Sequence, residues 1–279
     1  MFYANLSPLI YSGGKEWLLP VIRKWLEFYP EENKWFYEPF LGGGNISLNL
    51  INDNLVMMAI IGDLDPDVTA FWEIVFSKKH KLLIDKVFDL EVSKQNVLLQ
   101  MSKTETKEDI AFNEVLHTRM RHNGIRTGGL RKNLSARYNP DLIEERIVIS
   151  HQLGKKGIVH LDSKCSLNGG FDANDFFQLF GKTNGYWLID PPYVEEGKYC
   201  YKTFDVNHHE IFQQVSKLKG NWIMTYYEHP LIYKLIKKYG FRYRKINNPN
   251  TKRIELIISN DNAWMKRCSH LFISNHIMK

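Results

Sequence analysis

Residues 185–193 read Gly-Tyr-Trp-Leu-Ile-Asp-Pro-Pro-Tyr, an uncharged aromatic and aliphatic run that stops at a carboxylate followed by two prolines. A run of this kind predicts a strand buried on both faces, as in a parallel sheet. Neither proline can donate to a sheet ladder, and the residue before each is pushed to an extended conformation. The chain therefore leaves the strand as a stiff segment. Asp190 and Tyr193 are displayed at its carboxyl end, where open α/β sheets bind their ligands.

Upstream, Lys34-Trp-Phe-Tyr-Glu-Pro-Phe40 reads as a short strand, and Leu41-Gly-Gly-Gly-Asn45 as the turn into a helix from Ile46 to Ile51. Consecutive glycines at such a turn let the backbone approach a flat or anionic group closely. A second apolar run, Val56 to Ile61, ends in Gly62-Asp63-Leu64-Asp65. An acid at that strand end can accept hydrogen bonds from ribose hydroxyls, so turn and acid together point to an adenosine-bearing cofactor. The glycines lack the G-x-G-x-x-G spacing of dinucleotide oxidoreductases. Nearer the start, Tyr11-Ser-Gly-Gly-Lys15 precedes helical apolar spacing over Glu16 to Leu26; it is either an anion-facing loop or a plain helix cap, and it is not a P-loop.

Helical patterns over 70–76, 79–90 and 110–120 are followed by a segment, Arg119 to Tyr138, with no acidic residue. It carries Arg119, Arg121, Asn123, Arg126, Arg131, Lys132 and Arg137, interleaved with glycines. A loop so charged is either solvated surface or a reader of phosphates and base edges, since arginine and asparagine can contact purine edges bidentately. A helix over 140–153, a strand over 157–162 ending in Asp162, a short helix over 173–179, helices over 208–218 and 230–239 and a strand over 222–227 complete the alternation. The runs 241–246 and 253–259 predict a terminal antiparallel hairpin. The tail from 261 to 279 fits no element.

Composition narrows the class. The 279 residues are 44% hydrophobic and 24% charged, with 37 Lys+Arg against 31 Asp+Glu, a net charge of +6 compatible with a polyanionic partner. Cys165, Cys200 and Cys268 are far apart, without metal-ligand spacing, and read as reduced thiols of a cytoplasmic protein. No stretch is apolar enough for a membrane span.

Taken in order, Ser12-Gly-Gly-Lys15, Glu38-Pro-Phe-Leu-Gly-Gly-Gly44, Gly62-Asp63, the basic Asn123-Gly124 loop and Asp190-Pro-Pro-Tyr193 resemble the Dam-like adenine-specific DNA methyltransferases, from Tyr11 to about Asn260. The resemblance implies an α/β, Rossmann-like methyltransferase sheet with a terminal antiparallel hairpin. It assigns 1–65 and 155–260 to the catalytic domain, 66–154 to an inserted helical target-recognition region and 261–279 to a tail. It implies S-adenosylmethionine as cofactor, held by Tyr11, Lys15, Glu38, Phe40, Gly42, Gly44, Asp63, Asp162 and Asp190. Asp190, Pro191, Pro192 and Tyr193 would form the catalytic tetrad, and Arg119, Arg121, Asn123, Arg126, Arg131, Lys132 and Arg137 would contact double-stranded DNA. A cognate restriction endonuclease is a partner the resemblance allows. Arg126 falls one place earlier than the arginine of relatives reading GATC, so the target sequence does not carry over.

The residue types suit the reaction. An exocyclic amino nitrogen is a poor nucleophile because its lone pair is delocalised into the ring. Acceptors on both of its hydrogens, from Asp190 and the Pro191 carbonyl, would favour a pyramidal nitrogen with its lone pair aimed at a methyl group. Tyr193 offers a face to a base taken out of the stack. The same chemistry could serve cytosine, RNA or a protein amide, and a non-catalytic DNA-binding relative could keep the fold; Asp190 and the basic loop favour an adenine in DNA.

Overall fold

The computed structural model describes residues 5–11, 13–31, 34–124, 128–161, 170–194 and 206–273. The 185–193 stretch forms the middle strand of a seven-stranded sheet. In chain order the strands are β1 (Trp35–Glu38), β2 (Met58–Ile61), β3 (Ile158–His160), β4 (Tyr186–Ile189), β5 (Asn221–Tyr227), β6 (Arg242–Asn247) and β7 (Ile254–Ser259), and across the sheet they run β3-β2-β1-β4-β5-β7-β6. The first five are parallel, and β7 lies antiparallel between β5 and β6. The sequence direction reverses between β1 and β4, which opens a crevice at their carboxyl ends.

Alternating side chains along the buried strands supply two cores. Phe36, Ala59, Ile61, Tyr186, Leu188, Ile223 and Ile257 face one side, where α1 (Leu19–Phe28) and α2 (Asn45–Asn52) pack. Tyr37, Ile60, Trp187, Ile189, Met224 and Ile258 face the other, covered by α8 (Ala173–Phe180), α9 (His208–Val215) and α10 (Pro230–Tyr239). Trp187 is the centre of that second core: it stacks on Tyr37 with ring centroids 4.3 Å apart and meets Phe176 edge-on.

Between β2 and β3 run α3 (Pro66–Phe76), α4 (His80–Asp89), α5 (Lys94–Met101), α6 (Lys107–Met120) and α7 (Pro140–Gly157). Their apolar residues, among them Phe71, Trp72, Leu83, Phe112, Val115, Ile143 and Ile147, belong to the same core as Phe36 and Leu188. Packing thus continues across the boundary expected at residue 66. Helices α3 and α6 begin earlier than their apolar spacing predicts because Asp65 and Thr106 cap them, accepting from the amides of Asp67 and Asp109. The weakly amphipathic α5 went unread; Ser93 caps it. In the tail, α11 (Ala263–Arg267) buries Trp264 against Trp25 of α1, so this segment does form an element, one too short to show a period. Among the described residues no helix is long and apolar enough to cross a membrane.

Candidate active site

The glycine turn after β1 is shaped by contacts that leave no room for side chains. Gly42 and Gly44 have φ of +49° and +64°, the left-handed region that glycine adopts without penalty. A Cβ at Gly42 would stand 2.7 Å from the Tyr11 ring, and one at Gly44 would stand 2.8 Å from the Trp72 ring. Asp63, at the end of β2, fixes the turn by accepting from the Gly42 amide at 2.7 Å, while Trp72 Nε1 donates to the Gly42 carbonyl at 3.0 Å. The other Asp63 oxygen accepts from the Asp65 amide. Asp63 therefore shapes the turn as well as lining the cleft.

The segment before α1 closes over this turn. Asn45 Oδ1 accepts from the amides of Leu6 and Ser7, Arg146 donates to the Ser7 carbonyl, and Arg119 donates through Nε and Nη2 to the Pro8 carbonyl at 2.9 and 2.6 Å. Tyr11 is thereby held across Gly42 and Gly43. The resulting cleft is lined by Tyr11, Lys15, Glu38, Phe40, the three glycines, Asp63, Asp190 and Pro192. Most of the cofactor residues expected from the sequence are brought together there; Asp162 lies outside the described residues.

Burial dominates the electrostatics of the cleft. Glu38, withdrawn from water, has its carboxyl pushed up to about 8, against the opposing hydrogen bond from Ser47 and with a further upward push from Asp190 and Asp63. Lys15 is 8% exposed, and its ammonium reaches Asp190 Oδ2 at 3.0 Å and the Gly13 carbonyl at 2.9 Å. Burial alone would lower its pKa, but Asp190, helped by Glu255, raises it above the ordinary lysine value.

At the end of β4, Asp190 Oδ1 accepts from Thr225 of β5 and from the Tyr193 hydroxyl at 3.1 Å. A carboxylate has about four acceptor positions, so with Lys15 on Oδ2 the three bonds leave one more for an N–H. Tyr193 packs against Tyr226 and Tyr227, with Lys15 Nζ 5.0 Å from its ring centre. Its hydroxyl also lies 3.0 Å from Glu255 Oε2. Glu255 and Asn248, which donates to Glu255 Oε1 at 2.6 Å, were not among the expected site residues. The available signal was a lone acid inside the apolar run Ile254-Glu-Leu-Ile-Ile258, a residue that is fully buried only when partnered.

The basic segment divides. Arg119 is 2% exposed and spends its guanidinium on the carbonyls of Pro8 and Arg137, which corrects its expected role as a DNA contact. Burial lowers its pKa to about 10, with Arg146 adding to the effect. Arg121 is half-buried, donating to His117, to the Gly128 carbonyl and to Met101 sulfur. An antiparallel bridge pairs Arg121 with Leu130 just past the end of α6. Lys132 and Arg137 are exposed and Arg131 is half-exposed. Arg126 lies outside the described residues, as does the side chain of Asn123.

A glycine-cradled cleft at the crevice of a mainly parallel sheet abuts a partly buried acid-Pro-Pro-Tyr cluster, where sheets of this kind bind their ligands. The family model of D12 class N6 adenine-specific DNA methyltransferases matches residues 11–253, and the chain belongs to that family. It is an adenine-specific DNA methyltransferase, acting on the N6 amino group. No curated protein matches the chain.

Two outcomes test this geometry. Arg119→Ala should destabilise the fold by about 2–4 kcal/mol in urea titrations, because two carbonyls lose a buried charged donor. The salt dependence of DNA binding should stay at its wild-type slope; a flatter slope would return Arg119 to the DNA surface. For Glu38, a carboxyl raised in the fold contributes fully below its unfolded pKa and loses that contribution as pH rises from the ordinary carboxylate range to about 8. Glu38→Gln should therefore gain stability relative to wild type as pH rises through that window, and a constant difference would show that the acid is not held neutral.

Proposed function

We propose that S-adenosylmethionine is the methyl donor, that it occupies the cleft under Tyr11, and that Asp190 to Tyr193 receive a flipped adenine beside it. The observation that carries this reading is the adjacency of the glycine turn and Asp190 on the neighbouring strands β1 and β4. The cleft residues suit the donor chemically. Gly42 and Gly44 leave the space a Cβ would fill, Tyr11 gives a flat wall, and Glu38, Asp63 and Asp190 offer acidic oxygens to a positively charged ligand. When bound, the donor supplies an electrophilic methyl carbon on a cationic sulfur.

The chain's own residues hold the acceptor. The spare acceptor position on Asp190 takes one N6 hydrogen and the Pro191 carbonyl takes the other, which withdraws the nitrogen lone pair from the ring and points it toward the cleft. Tyr193 stacks on the base and offsets part of the few kcal/mol that extrusion from the duplex costs. The Lys15 ammonium, 3.0 Å from Asp190 Oδ2, holds that side chain in place. No covalent bond between enzyme and base is required.

Residues 1–65 and 155–260 carry this chemistry, and 66–154 present the DNA-facing surface, with Arg121, Asn123, Arg126, Arg131, Lys132 and Arg137 toward the duplex. Arg253, stacked on Tyr227 beside Tyr193, extends that surface on the far side of the tetrad. On the same reading the enzyme works in the cytoplasm on double-stranded DNA, alone or beside a cognate restriction endonuclease.

With methyl-labelled S-adenosylmethionine and mixed duplex DNA, label should appear on adenine, and Asp190→Ala should lose turnover while still binding the cofactor in calorimetry. Near-normal turnover in that variant would displace Asp190 from the reaction. Lys132→Ala and Arg137→Ala should each leave stability unchanged and reduce the log–log salt slope of DNA binding by about one. Slopes equal to wild type in both would assign the loop to solvated surface.

A further inference from the structure

Among the described residues, two carboxyls meet the Tyr193 hydroxyl, which has one hydrogen. Asp190 Oδ1 stands 3.1 Å from its oxygen and Glu255 Oε2 stands 3.0 Å away on the other side. If both carboxyls were ionised, the hydroxyl could satisfy one, and the other would face its lone pairs across a hydrogen-bond distance with no proton between them. The surrounding bonds decide where a second proton belongs. Asp190 already faces the Lys15 ammonium and accepts from Thr225. Glu255 is 0% exposed and accepts from Asn248 on Oε1, the oxygen turned away from Tyr193.

That arrangement matches an un-ionised carboxyl, with Oε1 as the carbonyl oxygen and Oε2 as the hydroxyl. We propose that Glu255 serves catalysis as its carboxylic acid, donating to the Tyr193 oxygen so that the Tyr193 hydroxyl donates to Asp190. Glu255 is then a positioning residue: it never meets the base, but it fixes the rotation of the tyrosine hydroxyl and the plane of the ring on which the base stacks.

The groups facing Glu255 from the elements around it support this state. They are Tyr193 and Asp190 beyond β4, Lys15 from the amino-terminal loop, Tyr227 paired with it from β5, and Asn248 from the turn after β6. Among the described residues facing Glu255, Lys15 supplies the positive charge, and Asp190 balances it. A second buried anion would leave the cluster net negative, at considerable cost in desolvation. Burial pushes the Glu255 carboxyl above its ordinary range, Lys15 opposes the shift, and Asp190 reinforces it. The antiparallel insertion of β7 beside β5 is what brings an acid near the start of β7 to the edge where β5 ends.

This inference rests on the assignment of Asp190 and Tyr193 to the reaction, and the test separates the two. The full-length enzyme is assayed as wild type, Glu255→Gln, Glu255→Ala, Tyr193→Phe, Asp190→Ala and the doubles of Tyr193→Phe with each Glu255 variant. Steady-state kcat and KM are measured on duplex DNA with labelled S-adenosylmethionine from acidic to alkaline pH, and melting temperatures are recorded alongside.

A glutamine amide can donate to Tyr193 and accept from Asn248, as the acid does. Glu255→Ala should lower kcat about 10- to 100-fold with little change in KM for the cofactor, the range expected for an unsatisfied buried partner. Glu255→Gln should restore kcat to within about threefold of wild type and remove the fall in kcat that wild type shows as rising pH ionises the acid. In the Tyr193→Phe background, Gln and Ala should be equal. If Glu255→Gln is as impaired as Ala while melting like wild type, the ionised form is required and the proposal fails. It fails equally if Gln and Ala both match wild type. Where Ala does not fold, the Gln variant and its pH profile decide alone. Turnover retained in Asp190→Ala would instead overturn the site assignment beneath it.

Discussion

The ion pair between Lys15 and Asp190 is the contact on which the site depends. Its partners come from opposite parts of the chain, one before the first helix and one at the end of the middle strand, and both are largely withdrawn from water. Breaking a pair of this kind by removing one member leaves an uncompensated charge in a poorly solvated place, at a cost of about 3–5 kcal/mol. The pair ties the amino-terminal segment to the end of β4 beside the glycine turn. One interaction thus joins two walls of the cleft.

Around that pair the molecule uses polar side chains in two ways that look alike in composition. Arg119 and Asn45 are buried and bind backbone carbonyls and amides, and their work is to hold residues 6–8 in place so that Tyr11 covers the glycines. Lys132 and Arg137 are exposed. The two arginines at 119 and 137 are joined, since Arg119 Nη1 donates to the Arg137 carbonyl at 2.9 Å. One end of the exposed basic segment is therefore tied, through Arg119, to the segment over the glycine turn.

What the sequence made legible was chemistry set by neighbours along the chain. Asp190-Pro-Pro-Tyr193 and Gly42-Gly-Gly44 follow from dihedral preferences, and the strands before them were readable as apolar runs, while the sheet's overall type came from the family resemblance. Contacts set by tertiary pairing were not legible. Glu255 reaches Tyr193 because β7 inserts between β5 and β6, and a hairpin pattern does not say which of its strands lies inside. Arg119 was misread for a similar reason: a run of bases and glycines marks a polar loop, while burial of one member depends on a carbonyl 111 positions away. The tail helix lacked length for a period, although Trp264 gives it a firm seat on α1.

The placement of β7 also sets when the enzyme can come into being during synthesis. Lys15 emerges early and Glu255 late, and β6 has no partner in the sheet until β7 follows it. A chain that has emerged only as far as β6 carries the tetrad, the glycine turn and the basic loop, yet β5 still presents an open edge and Tyr193 has lost one of its two carboxyl neighbours. Closure of the sheet is a long-range event and comes after the local helices have formed. The nascent chain thus holds Lys15, Asp190 and Tyr193 before β7 can bring Glu255 beside them.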